Sequence, residues 1–407
     1  MRNRTMTALV VAEVVSSTGS AMTFIALPWF VLSTGGSPTR MSVVLAAEIL
    51  PLALLGLPAG VFVSRLGART SMLVGDLARA PLIALVPVLH WVAHLGFATL
   101  LVLVFLVGTF TSPYFASQRS IIPELFGDDE TAVAKASGLF GGATQLPLVV
   151  GPALGGALIG FFGTAPLLVV DGATFLFAFL VVLTLVRGGK PVPDDESSRG
   201  ILAGVRYLAR DPLLGPIVLT IIILDGAANC LGVAVPLLAF TRYHRSAHVA
   251  GLLFTGFGVG MVIGSVVVVK LLDRFRPLRL ASAAIVLIAV PIWFVALPIA
   301  WPLVWLAVFA AGSVVPLVNA PMMGLITTRP PPAVRAKVLT AVLTASGLGG
   351  PLGRLLIGPL YKWQGNGGVW VAIAGGLTLG GLLFVAAVAR SAEDIPATAI
   401  SAPSRGG

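Results

Sequence analysis

Six ionisable side chains stand inside long apolar runs of this sequence: Glu13, Glu48, Asp76, Arg79, Asp225 and Arg354. A seventh, Asp171, falls near the start of another run. A charge at the centre of a bilayer costs about 2.5–3.5 kcal/mol on insertion scales, so each requires a physical reason. Asp76 and Arg79 lie three apart on one helical face and read first as a self-neutralising structural pair, with a coupling role as the second reading. Glu13, Glu48 and Asp225 have no cation near them in sequence. Burial disfavours the charged form of a carboxyl, so these acids and Asp171 are proton-exchange or ligand-binding candidates. The alternative leaves them facing an aqueous vestibule with no specific task. Arg354 is a permanent cation that either holds one of these acids or meets an anionic ligand group. An internal partner is favoured, because an unpaired cation costs more than a paired one.

The elements that must position these groups are membrane-length helices. The chain has 407 residues, of which 57% are hydrophobic and 10% charged, with a mean hydropathy of +1.00. Soluble domains carry about 25% charged residues. Apolar runs of about 20 residues recur throughout, and the alternating segments of a closed barrel are missing, so the fold class is an all-α integral membrane protein. Twelve spans are expected, near 7–32, 41–63, 70–93, 96–117, 131–160, 164–186, 213–240, 250–272, 280–298, 301–325, 338–361 and 367–389. The first run continues well past a signal-peptide core and reads as a retained span. Of the 26 lysines and arginines, 20 fall on the side of the N-terminus, four on the opposite side and two within spans. The positive-inside rule then places both termini in the cytoplasm of a multi-pass cell-membrane protein. The net charge of +10 is thus an orientation signal, and no nucleic-acid partner is expected.

A polar stretch, residues 187–212, divides the chain into six-span halves, 1–186 and 213–390. Its first part reads as a Pro/acidic linker and Ile201–Arg210 as a short basic surface helix; residues 391–407 read as a disordered tail. The halves echo one another. GPALGGALIG from Gly151 and GGPLGRLLIG from Gly349 agree at six of ten positions, with Arg354 where the first copy has Gly156. The basic loop SRLGAR (64–69) has a counterpart in DRFRPLR (273–279). Duplicated bundles with a central site are a transporter architecture. Glycines at four-residue spacing, Gly151/Gly155 and Gly256/Gly260/Gly264, permit close helix approach, and Pro147 and Pro152 favour a kink.

These stretches resemble the major facilitator superfamily over essentially the whole chain. GVFVSRLGAR (60–69) is similar to its cytoplasmic gate loop between helices two and three, matching at Gly60, Arg65, Gly67 and Arg69. Ser64 stands where that loop carries an acid; in the second-half loop Asp273 is acidic and Arg274 follows it. The resemblance leaves Asp76 as a substitute negative charge, or a weaker first gate. GLFGGATQLPLVVGPALGG (138–156) resembles the helix-five signature of the drug:proton antiporter branch at Gly138, Gly151, Pro152, Gly155 and Gly156, with Pro147 in place of a usual glycine. DGATFLFAF (171–179) and GVRYLARDPLL (204–214) resemble the macrolide-efflux and enterobactin-exporter group. GTFTSPYFASQ (108–118) lacks the arginine motif of helix four.

The resemblance implies two pseudo-repeated six-helix bundles, alternating access, a small-molecule substrate, protons as the coupling ion and a monomer in the lipid bilayer. Proton entry yields about 2.3 kcal/mol per 100 mV and about 1.4 more per pH unit, enough for a concentration ratio above a hundredfold. An importer on the same fold is the runner-up, and helix five argues against it. An enzyme or receptor would need a catalytic cluster or a large soluble insert. Neither is present, since all four histidines, His90, His94, His244 and His248, are peripheral. Each histidine pair lacks a third ligand, so no metal or other cofactor is expected. No nucleotide-binding GxxxxGK[ST] occurs, and Cys230 reads as a small packing residue.

Overall fold

The computed structural model describes residues 2–126, 130–186 and 201–393. The expected linker residues 187–200 and the tail beyond 393 lie outside them. Within the described residues the chain forms fourteen helices and no strand. In the first half these are α1 (Arg2–Ser33), α2 (Pro38–Leu66), α3 (Ala68–Trp91), α4 (Phe97–Phe126), α5 (Glu130–Ala143), α6 (Leu146–Phe162) and α7 (Thr164–Leu185). The short α8 (Ile201–Arg210) precedes the second half, α9 (Leu214–Arg242), α10 (Ala247–Leu272), α11 (Pro277–Leu287), α12 (Ala289–Val295), α13 (Trp301–Thr328) and α14 (Pro332–Glu393).

Helix count and span count differ for local reasons. The fifth run breaks at Thr144–Gln145, just before Pro147, so α5 and α6 share one span. The α11 and α12 segments share another across Ile288. Conversely, α14 has 62 residues, about three times the length a bilayer needs. At Gly365 (φ 64, ψ −164) it leaves the helical region, a conformation glycine adopts without a Cβ penalty, and the chain turns back. Twelve spans result, as the hydropathy pattern predicts.

The basic loop between α2 and α3 is one residue long. Gly67 (φ 82, ψ 151) ends α2 and Ala68 begins α3. The Ala68 N–H, at the start of its helix, donates to the Glu124 carboxylate of α4 at 2.9 and 3.2 Å, placing a negative charge at the positive end of α3. Arg69 donates to the carbonyls of Val186 (2.6 Å) and Leu183 (2.8 Å), closing the end of α7 with a cation. This loop therefore ties α3 to α4 and α7 within its own half. The second-half counterparts Asp273 and Arg274 are exposed.

Two pairs of helices make the main contacts between the halves. α6 meets α10, where a Cβ at Gly156 would sit 2.9 Å from the Gly251 Cα, and α14 meets α2, where Gly358 abuts Pro38 and Thr39. Both contacts lie toward the loops at residues 34–37, 163 and 243–246. Toward Gly67 and Asp273 the halves part: Gly56, Gly60, Gly138, Gly141 and Gly142 have no neighbour near the place of a Cβ, and Leu54 and Leu139 are more than half exposed. Aromatic edges seal the closed end, Phe24 against Phe254 and Trp29 against Phe240.

Candidate functional site

Between the halves lies a cavity of about 720 Å³, within the range that holds drug-sized ligands. Its two walls differ. The first half supplies most of the polar groups, Ser16, Ser17, Ser20, Thr111 and Tyr114 with Glu13, Glu48, Arg79 and Asp171, set among apolar side chains such as Phe24, Leu52, Val107 and Phe175. The second half presents Leu231, Val235, Phe254, Phe257 and Met261, relieved by Asn229 and Arg354.

Three polar clusters organise the charges. Glu13, 2% exposed, accepts from Ser17 Oγ (2.6 Å), Gln118 Nε2 (2.6 Å) and Tyr114 Oη (2.8 Å). On α3, Arg79 Nη2 donates to Asp76 Oδ1 at 2.6 Å, and both residues are buried. The Arg79 guanidinium lies between the rings of Tyr114 (3.9 Å) and Phe175 (4.3 Å), so cation–π contacts complete its solvation. Across the halves, Arg354 Nη1 donates to the Leu45 carbonyl at 2.9 Å and lies 3.5 Å from Glu48 Oε2. Asp171 is buried in the cavity wall with Thr174 Oγ1 at 3.4 Å from its Oδ1.

The cavity thus gathers Glu13, Glu48, Asp171, Arg79 and Arg354. It does not gather Asp225, which is half-buried on α9 one turn from Asn229 and makes no ion pair among the described residues. Asp76 points to Arg79 rather than to the loop at Ser64; the acid at that loop is Glu124. Of the helix-five residues, Pro147 and Pro152 line the cavity, Gly151 and Gly155 pack on α1 beside Ala21 and Met22, and Gly156 faces α10. Gly138 borders open space. Sequence reasoning passed over Tyr114 and Gln118. Two polar groups four apart were the available signal, because that spacing puts them on one helical face, but Thr109, Thr111, Ser112 and Ser117 beside them diluted it.

A two-bundle helical membrane protein with a central amphipathic cavity between its halves is a transporter of the major facilitator type. Over residues 1–402 the sequence matches the transmembrane secretion effector family, and the chain belongs to it. It is similar to the multidrug efflux pump Tap of Mycolicibacterium fortuitum, 26% identical over 386 residues covering 92% of this chain and 93% of that protein. The enterobactin exporter EntS of Citrobacter koseri is 29% identical over 171 residues, 42% of this chain and 40% of that one. Among solved structures, a point mutant of the nucleoside transporter NupG superposes with a TM-score of 0.80 at 12% identity, covering 94% of this chain and 99% of that one. A bacterial homologue of the human lysosomal transporter Spinster gives 0.72 at 16% identity, covering 96% and 95%.

Proposed function

We propose that this protein is a proton-coupled exporter of small amphipathic molecules, such as antibiotics or secondary metabolites, working by alternating access in the cell membrane. One observation carries the reading: a largely apolar cavity between the halves that is shut at one end by α6/α10 and α2/α14 and lined by three carboxyl groups, all from the first half. The similarity to a multidrug efflux pump over nearly the whole chain supports export. The distribution of lysine and arginine supports cytoplasmic termini, which makes the open end the cytoplasmic one. Substrate then enters from the cytoplasm, and rocking of the halves about the α6/α10 and α2/α14 contacts delivers it outside.

In this reading the Glu48–Arg354 pair holds the outer end shut, the Asp76–Arg79 pair stiffens the first half, and Glu13 and Asp171 are the free acids for protons. Asp225 is a lesser candidate. The loops around Ser64, Arg65 and Asp273 close the cytoplasmic end in the opposite state. The protein works as a monomer in the lipid bilayer. Siderophore export is a second reading, favoured by the similarity to an enterobactin exporter and by the two arginines in the cavity wall.

A susceptibility panel comparing overexpressing with deleted cells, across antibiotic and siderophore classes, identifies substrates. Everted vesicles then accumulate such a substrate only while a proton gradient stands. Accumulation that survives an uncoupler defeats proton coupling, and equal susceptibility of both strains to every compound defeats export.

A further inference from the structure

We infer that Tyr114 and Gln118 of α4 are positioning residues for proton exchange at Glu13, and that this cradle holds the Glu13 carboxyl in place in both protonation states while the cavity faces the cytoplasm. The inference rests on the proton-coupled reading above and assigns the exchange to one acid and its two helpers.

The donor count carries the argument. An ionised carboxyl is an acceptor only, with room for about four hydrogen bonds, whereas a protonated one becomes a donor at one oxygen. Ser17 and Gln118 both donate to Oε1 of Glu13, and Tyr114 donates to Oε2. Gln118 Nε2 has no acceptor role to offer in return. The cradle serves both states: a proton on Oε2 is donated to the Tyr114 oxygen, whose hydroxyl turns around, while Ser17 and Gln118 still donate to Oε1, and the ionised carboxylate accepts from all three. A proton therefore leaves Glu13 for water in the cavity, or returns from it, without the loss of any of the three contacts.

Geometry also makes the cradle breakable. α1 packs chiefly on α7 and α6, and α4 chiefly on α2 and α3, so Tyr114 and Gln118 reach Glu13 by side chain, within the first half and beside the cavity. A small change in the spacing of α1 and α4 therefore removes two donors at once. Glu48 differs: its carboxyl pairs with Arg354 in the other half, so its charge is tied to closure. The charged groups around Glu13 are Asp76 and Arg79 on α3, Asp171 on α7, Glu48 on α2 and Arg354 on α14, with the phenol of Tyr114 on α4. α5, α6, α9 and α10 bring no titratable side chain to the cavity wall among the described residues. Arg79, the nearer cation, is already committed to Asp76 and to two aromatic faces. Tyr114 is the shared element, with its hydroxyl on Glu13 and its ring on Arg79.

The test uses the full-length protein in lipid vesicles and needs no substrate. Infrared difference spectra between acidic and alkaline buffer report each carboxyl that titrates, and the position of its band reports its hydrogen bonds. The expected spectrum contains a carboxyl band that is lost in Glu13→Gln. In Tyr114→Phe and Gln118→Leu this band remains but shifts, and the two shifts combine in the double variant. Tyr114→Phe keeps the ring on Arg79, so it reads the hydroxyl even if Gln118→Leu folds poorly. A Glu13→Gln spectrum identical to wild type overturns the inference, as does a Glu13 band unmoved in Tyr114→Phe. Either result leaves uncoupler-sensitive transport intact through another acid, whereas uncoupler-insensitive transport defeats the proton-coupled reading whatever the spectra show.

Discussion

Arg354 of α14 lies 3.5 Å from Glu48 of α2, and theirs is the one ion pair among the described residues that joins the two halves. In the duplicated sequence Arg354 stands where α6 has Gly156, which lets α6 touch α10. Both closures bring backbones together, at Gly156 and at Gly358, and the second adds a charge pair.

Breaking that pair favours opening of the outer end. Ser42, fully buried under Gly358, is a suitable reporter. In a Cys230→Ala background, Ser42→Cys resists a membrane-impermeant thiol reagent, and adding Glu48→Gln or Arg354→Gln raises labelling. A loss of about 1.4 kcal/mol of closure energy corresponds to tenfold in population. Unchanged labelling means that the pair contributes nothing to closure.

Gly156→Val jams the other closure. Its Cβ would lie 2.7 Å from the Ala247 carbonyl and 2.9 Å from the Gly251 Cα, both backbone atoms that cannot step aside. Overpacking costs about 1–3 kcal/mol. The variant reaches the membrane in near-normal amount but loses most export, as measured by substrate accumulation in cells.

Asp76 and Arg79 stabilise the first half together. Removing one partner of a buried pair costs about 3–5 kcal/mol, and removing both costs less because no lone charge remains. Arg79→Leu therefore melts well below wild type in detergent, and Asp76→Asn/Arg79→Leu recovers part of the loss. A double variant less stable than Arg79→Leu contradicts the pairing.

Outside the membrane spans, Asp211 gives stability a pH dependence. Burial alone would raise its carboxyl, but the Arg329 hydrogen bond and the N–H groups of Leu214 and Leu213 outweigh it and hold the group below the ordinary carboxylate value. A depressed acid adds stability above its unfolded value, near 3.9, and loses it as the pH falls through the folded one. Wild type therefore melts slightly higher than Asp211→Asn at neutral pH, and the gap closes in acid. The effect is small because Arg329 is one-third exposed.

Asp225→Asn retains most of the export rate, since its carboxyl lies outside the cavity wall, whereas Glu13→Gln loses gradient-driven accumulation. Transport assays on the two amides side by side check this. An inactive, well-expressed Asp225→Asn would move the proton site into the second half.

The twelve spans, their division into halves, the short basic loop at Gly67 and the Asp76–Arg79 pair were all legible in the sequence. Each depends on local spacing: apolar run length, the placement of lysine and arginine, a glycine between two helices, and two charges one helical turn apart. The missing acid at Ser64 was equally visible, but not the one that stands at the loop instead, because Glu124 reaches it from the far end of α4 and Asp76 pairs with Arg79.

The sequence by itself determined that acids and arginines stand within membrane-length helices, since bilayer thickness and the cost of intramembrane charge act residue by residue. Only the tertiary structure decided which of them meet. Glu48 finds Arg354, Glu13 finds Tyr114 and Gln118, and Asp225 faces none of them, because contacts between helices far apart in the chain are set by packing and not by periodicity. Tertiary packing likewise made two similar glycine-rich segments into unlike closures: backbones touch at Gly156 and at Gly358, but only the second segment adds, at Arg354, a long cation that reaches an acid of the other half.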